Sequence, residues 1–232
     1  MKIEEIKNAL KRKAIVFRTG GFRPTNEISE SWIGKVGWKL KNEEVPKDDD
    51  HQEMLPVATV FLPDSPVCPK ELSGIKLITI FVSNNLYKHL NGDDLSRWFV
   101  IRTYRSLDDL VPCCYTSKAI KPFPLSTELV ENDFPTWDNG GIPDDIDQEI
   151  CTLEEQGNLD YFEDIYKKNY RLHKIGGYPS FCQSGVWYGD DYPFVLQISS
   201  DFKANFNIID SGNFYFCYNA LKQDWKVYCD FY

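Results

Sequence analysis

Histidines, cysteines and clustered carboxylates are the side chains with which this chain could do chemistry, and they are thinly spread. His51, His89 and His173 are the only histidines. Three could hold zinc, but no His-x-x-x-His step occurs and two lie in polar, loop-like stretches. His173 stands just before a Gly176-Gly177 turn, where it reads as a helix-end histidine facing terminal carbonyls or as part of a cleft. Cys182 follows the same turn closely. A nucleophilic cysteine must be a thiolate beside a base that a third group orients, and no recognised hydrolase signature surrounds it. Asp48-Asp49-Asp50 could approach a hard cation but lacks the spacing of a calcium loop, so it reads as a solvated turn. Gly20-Gly21 and Gly176-Gly177 belong to neither phosphate-binding glycine pattern, and Ser184-Gly185 lacks the nucleophile elbow. The expectation is no metal, no cofactor and no catalytic set.

Gln197 and Asp210 differ in kind. A glutamine inside the apolar run Phe194-Val195-Leu196-Gln197-Ile198 must pair both amide donors and its oxygen if it is buried. Two readings stand. In one, Gln197 bonds a neighbouring loop and Asp210 shapes its Asp-Ser-Gly turn through an Asx bond. In the other, both line a cleft with His173, Gly176 and Gly177.

These candidates must be held by β-rich elements. Ile3, Ile6 and Leu10 mark one amphipathic helix within residues 1–13, followed by a short strand at Ala14-Ile15-Val16-Phe17. A first β unit runs over 31–104, with its clearest interior strand at Ile75–Val82, mostly apolar and rich in β-branched residues. Residues 111–173 are read as a connection followed by helices, and the connection, Val111–Pro143, carries Pro112, Pro122, Pro124, Pro135 and Pro143. That density argues against helix and central strand, so an ordered connection burying Phe123, Phe134 and Trp137 is expected. Helical periodicity returns at Ile146, Ile150 and Leu153, and again at Leu159, Phe162, Ile165 and Tyr166. A second β unit fills 175–232.

The two β units echo each other in order. Ile33-Gly34 matches Ile175-Gly176, Val57 matches Val195, Ser73-Gly74 matches Ser211-Gly212, and Trp98-Phe99-Val100 matches Trp225-Lys226-Val227. The pattern suggests a duplication and an α+β fold. In it, two pseudo-repeated antiparallel sheet units pack together, with an N-terminal helix, a central helical segment and a cleft at their seam.

The 232 residues carry a formal net charge of −9, with 42% hydrophobic and 15% aromatic content. The densest basic run, Lys11-Arg12-Lys13, has no interleaved aromatics and reads as a helix C-terminus, so no nucleic-acid partner is expected. No stretch approaches the length needed to span a bilayer, and Met1–Glu5 does not look like a secretory leader. Seven cysteines without a Cys-x-x-Cys pair fit a reducing compartment, so a cytoplasmic protein without membrane contact is expected.

The segments Ser31–Val36, Leu72–Leu77, Trp98–Tyr104, Ile175-Gly176-Gly177-Tyr178-Pro179, Phe194–Ile198, Asp210–Phe216 and the closing aromatic strand together resemble the YwqG-like family. The likeness covers about residues 20–232. It implies a single cytoplasmic domain of unknown function, built by duplication, with no catalytic set to carry over. Some relatives lie beside polymorphic toxins, which implies a non-enzymatic binding or immunity role with a basic toxin domain as partner. Many relatives have a glutamine where this chain shows Thr59, leaving Gln197 unmatched. The alternatives are a small-molecule sensor or enzyme at the seam, and a purely structural subunit.

Overall fold

The computed structural model describes residues 2–90, 92, 94–136 and 141–232. Trp137 lies outside them. Helix α1 (Ile3–Leu10) buries Ile6 and Leu10 and ends one residue before β1 (Arg12–Thr19). Then follow β2 (Ser31–Ile33), β3 (Lys35–Leu40), β4 (Leu55–Phe61), β5 (Leu77–Val82), β6 (Phe99–Tyr104), β7 (Leu110–Thr116) and β8 (Phe123–Asp133). Helix α2 (Asp144–Glu155) and one π turn (Tyr161–Ile165) precede β9 (His173–Gly176), β10 (Phe194–Ser199), β11 (Asn213–Asn219) and β12 (Asp224–Asp230).

The expected pair of packed α+β units is not what forms. Ten strands make one antiparallel sheet in the order β12-β11-β10-β9-β1-β8-β2-β4-β5-β6, and β3 and β7 pair as a separate ribbon. Helices are few. The two halves of the sequence echo are wings of a single sheet, joined through β1 and β8, so hydrogen-bonded strands occupy the place of the expected seam. Counted outward from that central pair, β2, β4, β5 and β6 lie on one side and β9, β10, β11 and β12 on the other.

Two readings of the middle segment are corrected with it. Residues 123–133 are not a connection but the eleven-residue strand β8, at the centre of the sheet. Its proline, Pro124, lies second in the strand, opposite Trp32, and its carbonyl accepts from the Gly20 N–H at 2.7 Å. Pro112 sits on the ribbon beside an irregularity in the β3–β7 register. Prolines are tolerated where a missing N–H breaks no central ladder, and both positions qualify. The periodic run Leu159–Tyr166 forms only the π turn, because Tyr166 already has extended backbone (ψ 118°).

The sheet curls until its edges meet. The Leu95 N–H donates to the Val227 carbonyl at 2.7 Å. Asp94 accepts from the Lys226 ammonium at 2.6 Å and from the Val227 N–H at 3.3 Å. Phe99 of β6 packs edge-on against Phe214 and Phe216 of β11, with ring centroids 5.1 and 5.6 Å apart. Alternation along the strands fills the interior: Ile15 and Phe17, Ile78 and Ile80, Leu196 and Ile198, and Phe214 and Phe216 all point inward. The β3–β7 ribbon covers one wing's outer face through Val36, Phe81 and Tyr115, and α1, α2 and the π turn form a smaller cluster of their own.

Candidate functional site

The outward-facing residues of the second wing are polar, yet most are buried. Lys174 on β9, Gln197 and Ser199 on β10, Asn213 and Tyr215 on β11, and Asp230 on β12 lie beneath the stretches 169–172 and 177–183 that flank β9. Gln197 uses its whole amide: Oε1 accepts from the Ser180 N–H at 2.9 Å, and Nε2 donates to the Leu172 carbonyl at 3.0 Å and the Ser199 hydroxyl at 3.1 Å. At the equivalent place on the first wing, Thr59 donates to the Lys35 carbonyl at 2.9 Å and accepts from the Gly37 N–H at 3.3 Å. Each side chain tethers the segment leaving a short strand through a glycine with positive φ, Gly176 (71°) and Gly34 (72°).

At the network's centre, Asp133 Oδ2 accepts from the Lys174 ammonium at 3.0 Å and the Tyr178 N–H at 2.8 Å, while Oδ1 accepts from the Tyr170 N–H at 2.9 Å. Both ionic side chains are wholly inaccessible to solvent. Burial lowers the Lys174 ammonium to about 8 even though Asp133 opposes that shift. Gly177 (φ 66°) makes the approach possible, since a Cβ there would overlap the Asp133 carboxylate. Further out, the Tyr215 hydroxyl lies 2.7 Å from Asp230 Oδ1, and burial beside that carboxylate raises its phenol far above the ordinary value.

His173 lies at the edge of this network, on the wall of an open depression of about 330 Å³ with Thr19, Ser200, Asp201, Phe202 and Lys203. Its Nδ1 accepts from the Ser199 backbone N–H at 3.0 Å, and its Nε2 faces Asp201 Oδ2 at 3.3 Å. A peptide N–H keeps its proton, so Nδ1 supplies the lone pair and the imidazole proton sits on Nε2, directed at Asp201. Burial opposes the Asp201 charge, but hydrogen bonds from His173, Thr19 and Ala204 outweigh it and hold the carboxyl well below its usual range. No ring nitrogen remains to take a proton from a substrate. The nearby cations are engaged too: Arg18 pairs with Glu128 at 2.7 Å, and Lys203 donates to the Thr19 carbonyl at 2.9 Å.

The structure therefore links His173 and Gln197 through Ser199, sets Gly177 against Asp133, and places Gly176 at the end of β9. Asp210 stands apart in an exposed turn, where the side-chain oxygen that accepts from the Ser211 N–H belongs to Asn207. Cys182 bonds Asp230 and Asn213, while His173 bonds Ser199 and Asp201. Burial and the neighbouring Asp230 push its thiol up, away from the thiolate a nucleophile needs. Sequence reasoning passed over Asp133, Lys174, Asn169, Ser180 and Asp230. The alternation that puts Lys174 and Asp230 on a polar strand face was visible, but a polar face ordinarily means solvent, and Asn169 and Ser180 lie outside the strands.

A second feature is electrostatic. Nine acidic residues and no lysine or arginine occupy 144–164, which is α2 and the π turn; the other 26 acidic residues equal the 26 lysines and arginines in number. The whole formal charge of −9 is thus the charge of this one segment. Asp144, Asp145, Glu154, Glu155, Asp160 and Glu163 are exposed. Glu149 aside, none of the nine pairs with a lysine or arginine among the described residues. Phe162, within the same segment, is 58% exposed.

Among the described residues no helix is long and apolar enough to cross a membrane. The family model described as Domain of unknown function (DUF1963) matches residues 40–224, and the chain belongs to that family. The match takes in the buried network up to Tyr215 and the acidic segment. No curated protein matches the chain.

Proposed function

We propose that this chain is a non-enzymatic protein-binding module whose acidic surface on α2 and the π turn docks a basic protein partner. The observation that carries this reading is the confinement of the entire net charge to residues 144–164, in side chains left mostly in water. Uncompensated surface carboxylates speed encounter with a cationic partner and set its orientation. Exposed Phe162 supplies an apolar contact of the kind that anchors interfaces. A basic toxin domain, the partner implied by the YwqG-like resemblance, fits the same chemistry.

The opposing reading, a small-molecule enzyme or sensor around His173, fits the geometry less well. His173, Gln197 and Asp201 already spend their polar atoms on neighbours within the fold. The test is capture from native lysate at several ionic strengths, with Asp144→Lys/Asp145→Lys/Glu155→Lys as comparison. The expected result is a stoichiometric basic protein that salt elutes and the triple variant fails to hold. Equal capture by both proteins, or none by the native chain, overturns the reading.

A further inference from the structure

The buried cluster around Lys174 contains the parts of a condensation reaction. The Lys174 Nζ lies 3.4 Å from the side-chain oxygen of Asn169 and 3.0 Å from Asp133 Oδ2. The Ser180 hydroxyl donates to that same Asn169 oxygen. Asn169 Nδ2 is directed the other way, toward the Phe134 and Pro179 carbonyls at 2.8 and 3.3 Å. Lys174, Asp133 and Ser180 are fully buried, and Asn169 retains only 7% exposure. An amine, a base beside it, a carboxamide and a donor on the carboxamide oxygen are thus fixed together away from water, the arrangement that nucleophilic acyl transfer requires.

We propose that Lys174 and Asn169 join through an intramolecular amide bond, formed without any cofactor and assisted by Asp133. Asp133 accepts a proton from the Lys174 ammonium. The freed Nζ lone pair adds to Asn169 Cγ, and the carbonyl electrons move onto Oδ1, where the Ser180 hydroxyl holds them. Collapse of this adduct breaks the Cγ–Nδ2 bond. Of the two protons that Nζ loses, one completes the departing ammonia, and the other stays on Asp133, which is left neutral. No electrons are gained or lost overall.

Two physical circumstances favour the step. Desolvation leaves a substantial share of Lys174 as free amine near neutral pH, whereas an exposed lysine is almost wholly protonated there. The product also replaces a buried ion pair, which is costly to desolvate, with a neutral amide and a neutral carboxyl. The bond would tie the segment covering the polar face directly to β9. This inference does not depend on the binding role proposed above.

Intact-mass measurement of the purified full chain tests it. The expected mass is lower than that of the sequence by one ammonia. Tryptic digestion should yield the Asn169 and Lys174 peptides as one branched species, with cleavage after Lys174 lost. Asn169→Ala and Lys174→Arg should each return the chain to its unmodified mass, and folded Asp133→Asn should form the bond many-fold more slowly. A native chain at full mass after prolonged incubation at pH 8 overturns the proposal. Loss of water instead of ammonia, or ammonia lost at a different asparagine in the peptide map, overturns it equally.

Discussion

At the scale of single residues, the second wing depends on side chains that pair backbone groups inside the protein. Removing the Gln197 amide leaves the Ser180 N–H and the Leu172 carbonyl buried without a partner, and each such loss costs about 1–3 kcal/mol. Gln197→Leu should therefore destabilise the fold by roughly 2–4 kcal/mol in urea titration, while Thr59→Val on the other wing, with weaker bonds, costs less. Gly177→Ala combines a left-handed backbone with overlap onto Asp133, and should cost about 2–4 kcal/mol by the same measurement. Asp201 sets the acid behaviour. Its carboxyl titrates lower in the folded chain than its unfolded value of 3.8, so it adds stability above that pH and loses it as pH falls below. Asp201→Asn should flatten the acid limb of a stability–pH profile between pH 5 and 2, to roughly the extent that one such group contributes. Gln197 was legible as a residue needing partners because it interrupts an apolar strand. Lys174 and Asp133 were not, because only the folded covering segment turns a polar strand face into an interior.

At the scale of elements, α2 is built against its own stability. Asp144, Asp145 and Asp147 suit the positive end of the helix dipole, but Glu154 and Glu155 crowd the negative end, where a cation would be favourable. Glu155→Lys should raise thermal stability slightly, by about 0.3–1 kcal/mol, while weakening capture of a basic partner. A last turn that costs the helix stability is what the proposed docking role requires. The strands β5, β10 and β11 were legible from alternation and apolar runs. Strand β8 was hidden by Pro124, whose position near the strand's start spares the ladder, and the π turn was hidden by a periodicity that its neighbours do not continue. The place of β1 between β8 and β9 could not be read at all, since no local pattern encodes which distant strands a strand will join.

At the scale of the whole molecule, Asp94 and Leu95 fasten one edge of the curled sheet to the other. The Asp94–Lys226 pair is about one third exposed and worth little by itself, whereas the bond from the Val227 N–H closes an otherwise open edge. Asp94→Ala should lower global stability by only about 1 kcal/mol, yet accelerate hydrogen exchange of the Leu95 and Val227 amides well beyond that of the central strands. Closure also bears on how the chain comes to fold. Strand β1 is made first but pairs only with residues 123–133 and 173–176. As the chain leaves a ribosome, its apolar Ala14–Phe17 stretch must wait unpaired on both edges until residues 123–133 are made, and on its second edge until residues 173–176 follow. Pairing between strands so distant in sequence slows folding, and until it forms β1 is the stretch that most needs a chaperone's cover.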